Sequence, residues 1–178
     1  MSDDDRTGQP GAAARDYLEI TGVLRRGDPD ELEFVHGVVD GFPEGQDPYL
    51  GLRWITNAID CGAPESVAWM LAKGVALDFR DSGGYTPVHS CLERDGEDRY
   101  RVLDMLLRAG APVNAHGFND WTPLHMAAAV DDRRAMRMLL EAGADRTIRT
   151  RIDDCTTPEE EARLLGQHAA ADFLKDDR

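Results

Sequence analysis

The side chains that could carry chemistry in this sequence are five histidines, three cysteines and, away from the two ends of the chain, two pairs of adjacent aspartates. The aspartate pairs, Asp131–Asp132 and Asp153–Asp154, lie in predicted turns, where aspartate is common because its carboxylate bonds to nearby backbone amides. The sequence contains no HExxH zinc motif, no GxSxG nucleophile elbow, no Walker loop and no GxGxxG dinucleotide motif. We therefore expect no catalytic, cofactor-binding or metal-binding residue and a protein that is not an enzyme.

The three cysteines, Cys61, Cys91 and Cys155, are an odd and widely spaced set without a CxxC pair. Such a set favours neither a disulfide framework nor a zinc site, and we expect reduced thiols. No run approaches the roughly 18 to 20 consecutive apolar residues of a membrane span, and the start of the chain is acidic where a secretory signal is basic and then apolar. We therefore expect a cytoplasmic protein without a membrane partner.

The overall charge limits the class of partner. The chain has 34 acidic and 20 basic residues, which gives a formal net charge of −14 and an isoelectric point near 4.6. Such a chain repels the phosphates that a nucleic-acid binder must neutralise, so we expect no DNA or RNA partner. A basic protein is the better partner, and we expect the free chain to be a monomer.

The sequence repeats itself with a period of about 35 residues. The segment GYTPVH, which begins at Gly84, returns 36 residues later as DWTPLH, which begins at Asp120. A second marker runs in phase with the first, because Gly74, Gly110 and Gly143 each close an apolar segment and are 36 and 33 residues apart. Two independent markers with one period indicate a repeat protein rather than a single irregular core.

The order Thr-Pro-Leu-His, Ala-Ala and Leu-Leu-x-x-Gly-Ala resembles the ankyrin repeat, and the resemblance covers about residues 15 to 175. It implies an all-α solenoid of about five helix-turn-helix units with short β-hairpin fingers between them. The expected repeats are 15–46, 47–80, 81–116, 117–150 and 151–175, between a disordered acidic segment 1–14 and a tail 176–178.

Nine residues are expected to hold the repeats together, because threonine caps helices, proline suits the first helical position and glycine ends helices. These structural residues are Thr86, Pro87, His89, Thr122, Pro123, His125, Gly74, Gly110 and Gly143. The resemblance implies that the two histidines hydrogen-bond the finger backbone and the neighbouring repeat. In the last repeat, the acidic start Glu159–Glu161 predicts a polar cap for the end of the array.

The residues expected to bind a partner lie on the fingers and first helices, which form a concave surface in the resembled family. They are Tyr49, Leu50, Leu52, Ser82, Tyr85, Phe118, Asn119, Trp121, Met126, Arg149 and Arg151. Leu52, Tyr85 and Trp121 directly precede the capping position of successive repeats, and exposed tyrosine and tryptophan are enriched at binding hot spots. The alternative is that these aromatic side chains pack against each other between fingers.

Two irregular segments are further candidates for contact with a partner. The third repeat has three extra residues near Gly96, which a partner contacts or which form a tolerated surface loop. The last finger contains Arg149 and Arg151, which bind an acidic patch on a partner or neutralise nearby carboxylates of the chain itself.

These features predict a non-catalytic protein-protein interaction module. A sharper hypothesis is an acidic immunity protein or an inhibitor of a toxin, since an acidic chain can mimic the charge of nucleic acid. The alternatives are a regulatory or scaffolding subunit of a housekeeping enzyme and, from a different class, an enzyme or a small-ligand sensor.

Overall fold

Short helices in pairs form most of the chain. The computed structural model describes residues 12–152 and 154–175. Its α-helices are α1 (Ala12–Arg26), α2 (Pro29–Val38), α3 (Trp54–Cys61), α4 (Pro64–Ala72), α5 (Pro87–Glu93), α6 (Asp98–Arg108), α7 (Pro123–Ala129), α8 (Arg133–Glu141), α9 (Pro158–Leu164) and α10 (His168–Lys175). Of the segments predicted to be disordered or a tail, residues 1–11 and 176–178 lie outside the described residues, and α1 already begins at Ala12.

The helices are arranged in two layers. The first helices of the pairs form one layer, in which α1 packs on α3, α3 on α5, α5 on α7 and α7 on α9. The second helices form the other layer, in which α2 packs on α4, α4 on α6 and α6 on α8, while α10 closes the array against α9 and α7. The predicted all-α solenoid of five helix pairs is therefore confirmed.

The starts of the first helices follow the predicted capping chemistry. The Thr86 hydroxyl accepts a hydrogen bond from the amide of His89, and proline occupies the first helical position. Thr157 and Glu160 form a reciprocal capping box at the start of α9, where the three acidic residues of the first turn also suit the helix dipole. These capping residues mark the starts of α5 and α9, whereas α3 begins after Arg53 without a side-chain cap.

His89 and His125 join neighbouring repeats. The Nδ1 atom of His89 is 2.7 Å from the Thr86 hydroxyl, and its Nε2 atom donates to the carbonyl of Trp121 at 3.0 Å in the next finger. His125 repeats this arrangement one unit later, with Nε2 donating to the carbonyl of Thr156 at 3.0 Å. Burial lowers the pKa of His89 to about 4 and lowers that of His125. Both imidazole rings are therefore neutral, and they join neighbouring repeats in the structural framework of the solenoid, which we call the frame.

One column of small buried residues sets the spacing of the first helices. Ala58, Cys91, Ala127 and Ala162 stand at the fifth residue of α3, α5, α7 and α9, and each is at most 1% exposed. A larger side chain here would push neighbouring helices apart, at a cost of about 1 to 3 kcal/mol for overpacking. Gly117 allows the finger 109–122 to approach α5 closely, because a Cβ atom at this position would lie 2.6 Å from the His89 ring.

The glycines that end the second helices adopt the left-handed conformation. The φ angles of Gly74, Gly110 and Gly143 are +82°, +85° and +92°, which other residues adopt only with strain. Each glycine turns the chain out of the second helix and into the next finger. The period seen in the sequence is therefore the period of this turn.

The fingers are hydrogen-bonded turns where short β-hairpins are expected. In the described residues no strand is found, and one isolated antiparallel bridge joins Gln46 and Arg53. A backbone hydrogen bond closes each finger, for example from the amide of Asp81 to the carbonyl of Tyr85, and in two fingers aspartate side chains bind further backbone amides. Asp47 accepts hydrogen bonds from the amides of Tyr49 and Leu50, and Asp81 accepts from two amides of the next finger.

Among residues 12–152 and 154–175, none of the helices has the length and apolar character needed to span a membrane. Within the same residues, no three His, Cys, Asp or Glu side chains are grouped to hold a metal ion.

Candidate functional site

The candidate site is the finger surface, by which we mean the four fingers 39–53, 73–86, 109–122 and 142–157 together with the exposed sides of the first helices. Four large apolar side chains of the fingers are about half exposed: Tyr49 at 57%, Leu50 at 52%, Phe118 at 50% and Ile152 at 46%. Leu52, Tyr85 and Trp121 are half-buried, while Ser82 and Asn119 are exposed. The fingers thus present a discontinuous apolar surface to solvent.

Aromatic side chains also pack between neighbouring fingers. Tyr85 stacks on Phe118, with ring centroids 5.6 Å apart and an interplanar angle of 9°. Tyr17 of α1 packs on Tyr49 at 5.5 Å. The predicted binding residues Tyr85 and Phe118 therefore also stabilise the array by packing against each other. The Phe118 ring remains half exposed and available for contact. Trp121 adds a backbone role, since its carbonyl accepts the hydrogen bond of His89.

The basic residues of the last finger are paired within the chain. Arg149 binds the Glu160 carboxylate through both terminal nitrogens at 2.7 and 2.9 Å, and Arg151 binds the carboxylate of Asp120. The Arg151 guanidinium holds the pKa of Asp120 well below its usual range, at about 2. These contacts correspond to the predicted alternative in which the arginines neutralise carboxylates of the chain, although both side chains stay more than half exposed.

A groove with a volume of about 460 Å³ lies between α3 and α5 on the finger surface. Its lining residues are Asp60, Cys61, Asp81, Tyr85, Ser90, Glu93, Arg94 and Asp95. Four of these eight side chains are carboxylates and one is a guanidinium. We call this feature the acidic groove.

The one arginine of the acidic groove points its charge into the frame. Arg94 donates to the carbonyls of Ile59 at 2.6 Å and Gly62 at 2.8 Å, at the end of α3. The Arg94 side chain thereby ties the long turn of the third repeat to the second repeat. Its guanidinium is held by backbone oxygens rather than by a carboxylate of the groove, so the groove keeps an excess of negative charge.

Desolvation and the crowding of negative charge in the acidic groove raise the pKa of Asp60. The pKa of this carboxyl is raised to about 6, chiefly by desolvation and also by the nearby Asp81 and Glu93, against the lowering effect of Arg94. The side chain is at the surface, but the walls of the groove remove part of its hydration shell. Glu93 also accepts a hydrogen bond from the Tyr85 hydroxyl at 3.0 Å. A cationic side chain placed here would relieve the crowding of negative charge.

The sequence pattern did not identify the acidic groove. Asp60 and Glu93 are absent from the predicted binding set, whereas Ser82, Tyr85 and Phe118 border the region that they form. A usable signal was present, because Asp60 and Glu93 stand 33 residues apart, at one repeat period. Met126, which was predicted to bind, is half-buried on α7 at the position equivalent to Ser90 of the groove.

Comparison with known families agrees with this architecture. A family model described as ankyrin repeats in three copies matches residues 55–150, which is more than half of the chain. The chain belongs to the ankyrin-repeat family. Its helix pairs, fingers and His-mediated contacts between repeats are those of this class of binding scaffold.

Individual relatives are much longer proteins. The chain is 33% identical to the fem-1 homolog A protein of Danio rerio over 135 residues, which cover 67% of this chain and 21% of that protein. It is 35% identical to the BCL-6 corepressor-like protein 1 of Homo sapiens over 101 residues, or 56% of this chain and 6% of that protein. The RelA-associated inhibitor of Mus musculus is 38% identical over 60 residues, which cover 34% of this chain and 7% of that protein. The chain thus spans about a fifth or less of the length of these relatives.

Proposed function

We propose that this chain binds a basic region of a partner protein through its finger surface. The observation that carries the proposal is the acidic groove, in which four carboxylates face a space of about 460 Å³ beside the Tyr85–Phe118 pair. Ankyrin repeats are typically non-catalytic binding units, and this fold supports function through its surface rather than through a buried site. A lysine or arginine of the partner is the group that complements the groove.

The residues beside the acidic groove also suit a basic partner. The Tyr85 and Phe118 rings offer a flat apolar surface next to the carboxylates, and an arginine side chain can stack on such a ring while its charge meets a carboxylate. The net charge of −14 also attracts a basic partner over a distance of about a Debye length. Association is therefore expected to slow as the salt concentration rises.

Within this function we favour inhibition of a basic protein. An acidic surface of this kind can cover the basic surface of a toxin or nuclease, as in an immunity protein, and one relative in the family carries the name RelA-associated inhibitor. The second candidate is a regulatory or scaffolding subunit of an enzyme. Exposed Tyr49, Leu50 and Phe118 favour this candidate, because they suit a larger and less salt-dependent apolar interface.

The test compares two charge-matched double variants of the full chain. Asp60→Asn with Glu93→Gln removes two carboxylates from the acidic groove, and Glu33→Gln with Glu141→Gln removes two from the second helices. Affinity capture from the native host, read by quantitative mass spectrometry, is expected to recover a basic protein with the wild type and the second variant. The groove variant should lose that protein at least tenfold. Equal recovery by both variants would contradict the proposal.

A further inference from the structure

The acidic groove lies at the second and third repeats. Two of its lining residues, Glu93 and Arg94, are the last residue of α5 and the residue that caps it. The helices α5, α7 and α9 each have seven residues. The same two positions can therefore be followed from repeat to repeat along the surface.

In the next two repeats these positions are apolar. The last residues of α7 and α9 are Ala129 and Leu164, and the residues that cap them are Val130 and Leu165. Val130 is 67% exposed, Leu164 63% and Leu165 49%. Since α7 packs between α5 and α9, these side chains continue the line of Glu93 and Arg94. We call Val130, Leu164 and Leu165 the apolar strip.

The finger surface therefore changes along the array, from acidic at the acidic groove to apolar at the apolar strip. Charge complementarity selects cations at the second and third repeats, whereas the apolar strip presents exposed apolar side chains at the fourth and fifth repeats. Exposed contiguous apolar side chains on a soluble protein mark an interaction site. Two different kinds of side chain are therefore suited to the two ends of one surface.

We infer that the partner contributes one segment with two parts, a basic cluster that fills the acidic groove and apolar side chains that cover the apolar strip. This inference rests on the proposed function and adds the order and spacing of the recognised groups. Packed neighbouring helices lie about 8 to 10 Å apart, so the two steps from α5 to α9 span roughly 20 Å. An extended chain rises about 3.3 Å per residue, which places the two parts about six residues apart.

A synthetic peptide of three arginines, a Gly-Ser-Gly spacer and three leucines reproduces this spacing. Two control peptides replace either the leucines or the arginines with serines. Titration into the isotopically labelled full chain, followed by backbone-amide NMR, is expected to shift residues of the acidic groove and the apolar strip together. Linking the two parts should make the full peptide bind about tenfold more tightly than either control, because the second contact becomes intramolecular.

Variants separate the two parts. Leu164→Ser with Leu165→Ser should reduce the affinity of the full peptide to that of the leucine-free control. Phe34→Ser is the matched control, since Phe34 is 68% exposed on α2, outside the finger surface, and should change nothing. If the full peptide binds no more tightly than the leucine-free control, or if the double serine variant binds it unchanged, the inference is overturned. If the leucine-free peptide fails to shift the acidic groove at all, the proposed function fails as well.

Discussion

The substitution Asp60→Asn is expected to make the protein more stable and its binding weaker. In the folded chain the Asp60 carboxylate is partly desolvated and faces Asp81 and Glu93, which raises its pKa to about 6 from an ordinary value of 3.8. The unfolded chain relieves that crowding, so the charged carboxylate destabilises the folded state at neutral pH. Asparagine keeps the shape of the side chain and removes the charge.

The size of the effect follows from the pKa difference. A difference of about two units corresponds to about 3 kcal/mol, and because the Asp60 side chain is exposed at the edge of the groove we expect screening by solvent to reduce this to about 1 kcal/mol. The sign is set by proton binding, since the folded state holds the proton more tightly than the unfolded chain. The penalty is therefore absent below about pH 4, grows as the pH rises through 6 and is complete above pH 7.

Urea denaturation of the wild type and Asp60→Asn at pH 7.5 and pH 4.5 tests this reasoning. At pH 7.5 the variant should be more stable by about 1 kcal/mol, and most of that gain should vanish at pH 4.5. Glu141→Gln, which removes a carboxylate from the second-helix layer, is the control and should show no such gain. The reasoning is refuted if Asp60→Asn is equally or less stable at pH 7.5, or if its gain is the same at both pH values.

Three further predictions concern the frame and the groove. His89→Gln should destabilise the protein by about 2 to 4 kcal/mol at pH 7.5 in urea denaturation, and the deficit should shrink towards pH 4.5, because the folded pKa of about 4 means that wild-type stability is lost as the pH falls below 6.5. Gly117→Ala should cost about 1 to 3 kcal/mol through its clash with the His89 ring, whereas Gly22→Ala in α1 should be neutral or stabilising by less than about 1 kcal/mol. If Gly117→Ala melts at the same temperature as Gly22→Ala, the expected clash at Gly117 is wrong. Binding of the leucine-free control peptide, which keeps the three arginines, should weaken about fivefold between pH 7.5 and pH 5 as Asp60 is neutralised. Calorimetry measures this change, which the Asp60→Asn variant should not show.

The frame was predictable because each of its signals is local. A threonine followed by proline fixes a helix start, a glycine in the left-handed conformation fixes a helix end, and both recur at one period. The roles assigned to His89 and His125 through the family resemblance are also found, since each ring reaches the finger of the next repeat. Local chemistry repeated in register is therefore enough to define this solenoid.

The candidate site was only partly predictable, because it depends on contacts between repeats. The repeat period places Asp60 and Glu93 at equivalent positions of neighbouring repeats, but it does not show that their carboxylates line one groove between α3 and α5. Nor does the sequence show that Arg94 turns away to the carbonyls of Ile59 and Gly62. The fingers illustrate the same limit, since the carboxylates of Asp47 and Asp81 bind amides that a hairpin ladder would use.

Site-specific photo-crosslinking tests most directly whether the finger surface is where the partner binds. A photoreactive amino acid is placed at Ser82, which is exposed on the finger beside the acidic groove, or at Arg137, which is exposed on α8 in the second-helix layer. If the finger surface is the binding site, the partner recovered by the wild type is crosslinked at Ser82, the adduct fades at high salt, and Arg137 gives no adduct. An adduct at Arg137 in place of Ser82 would show that the partner binds the second-helix layer instead.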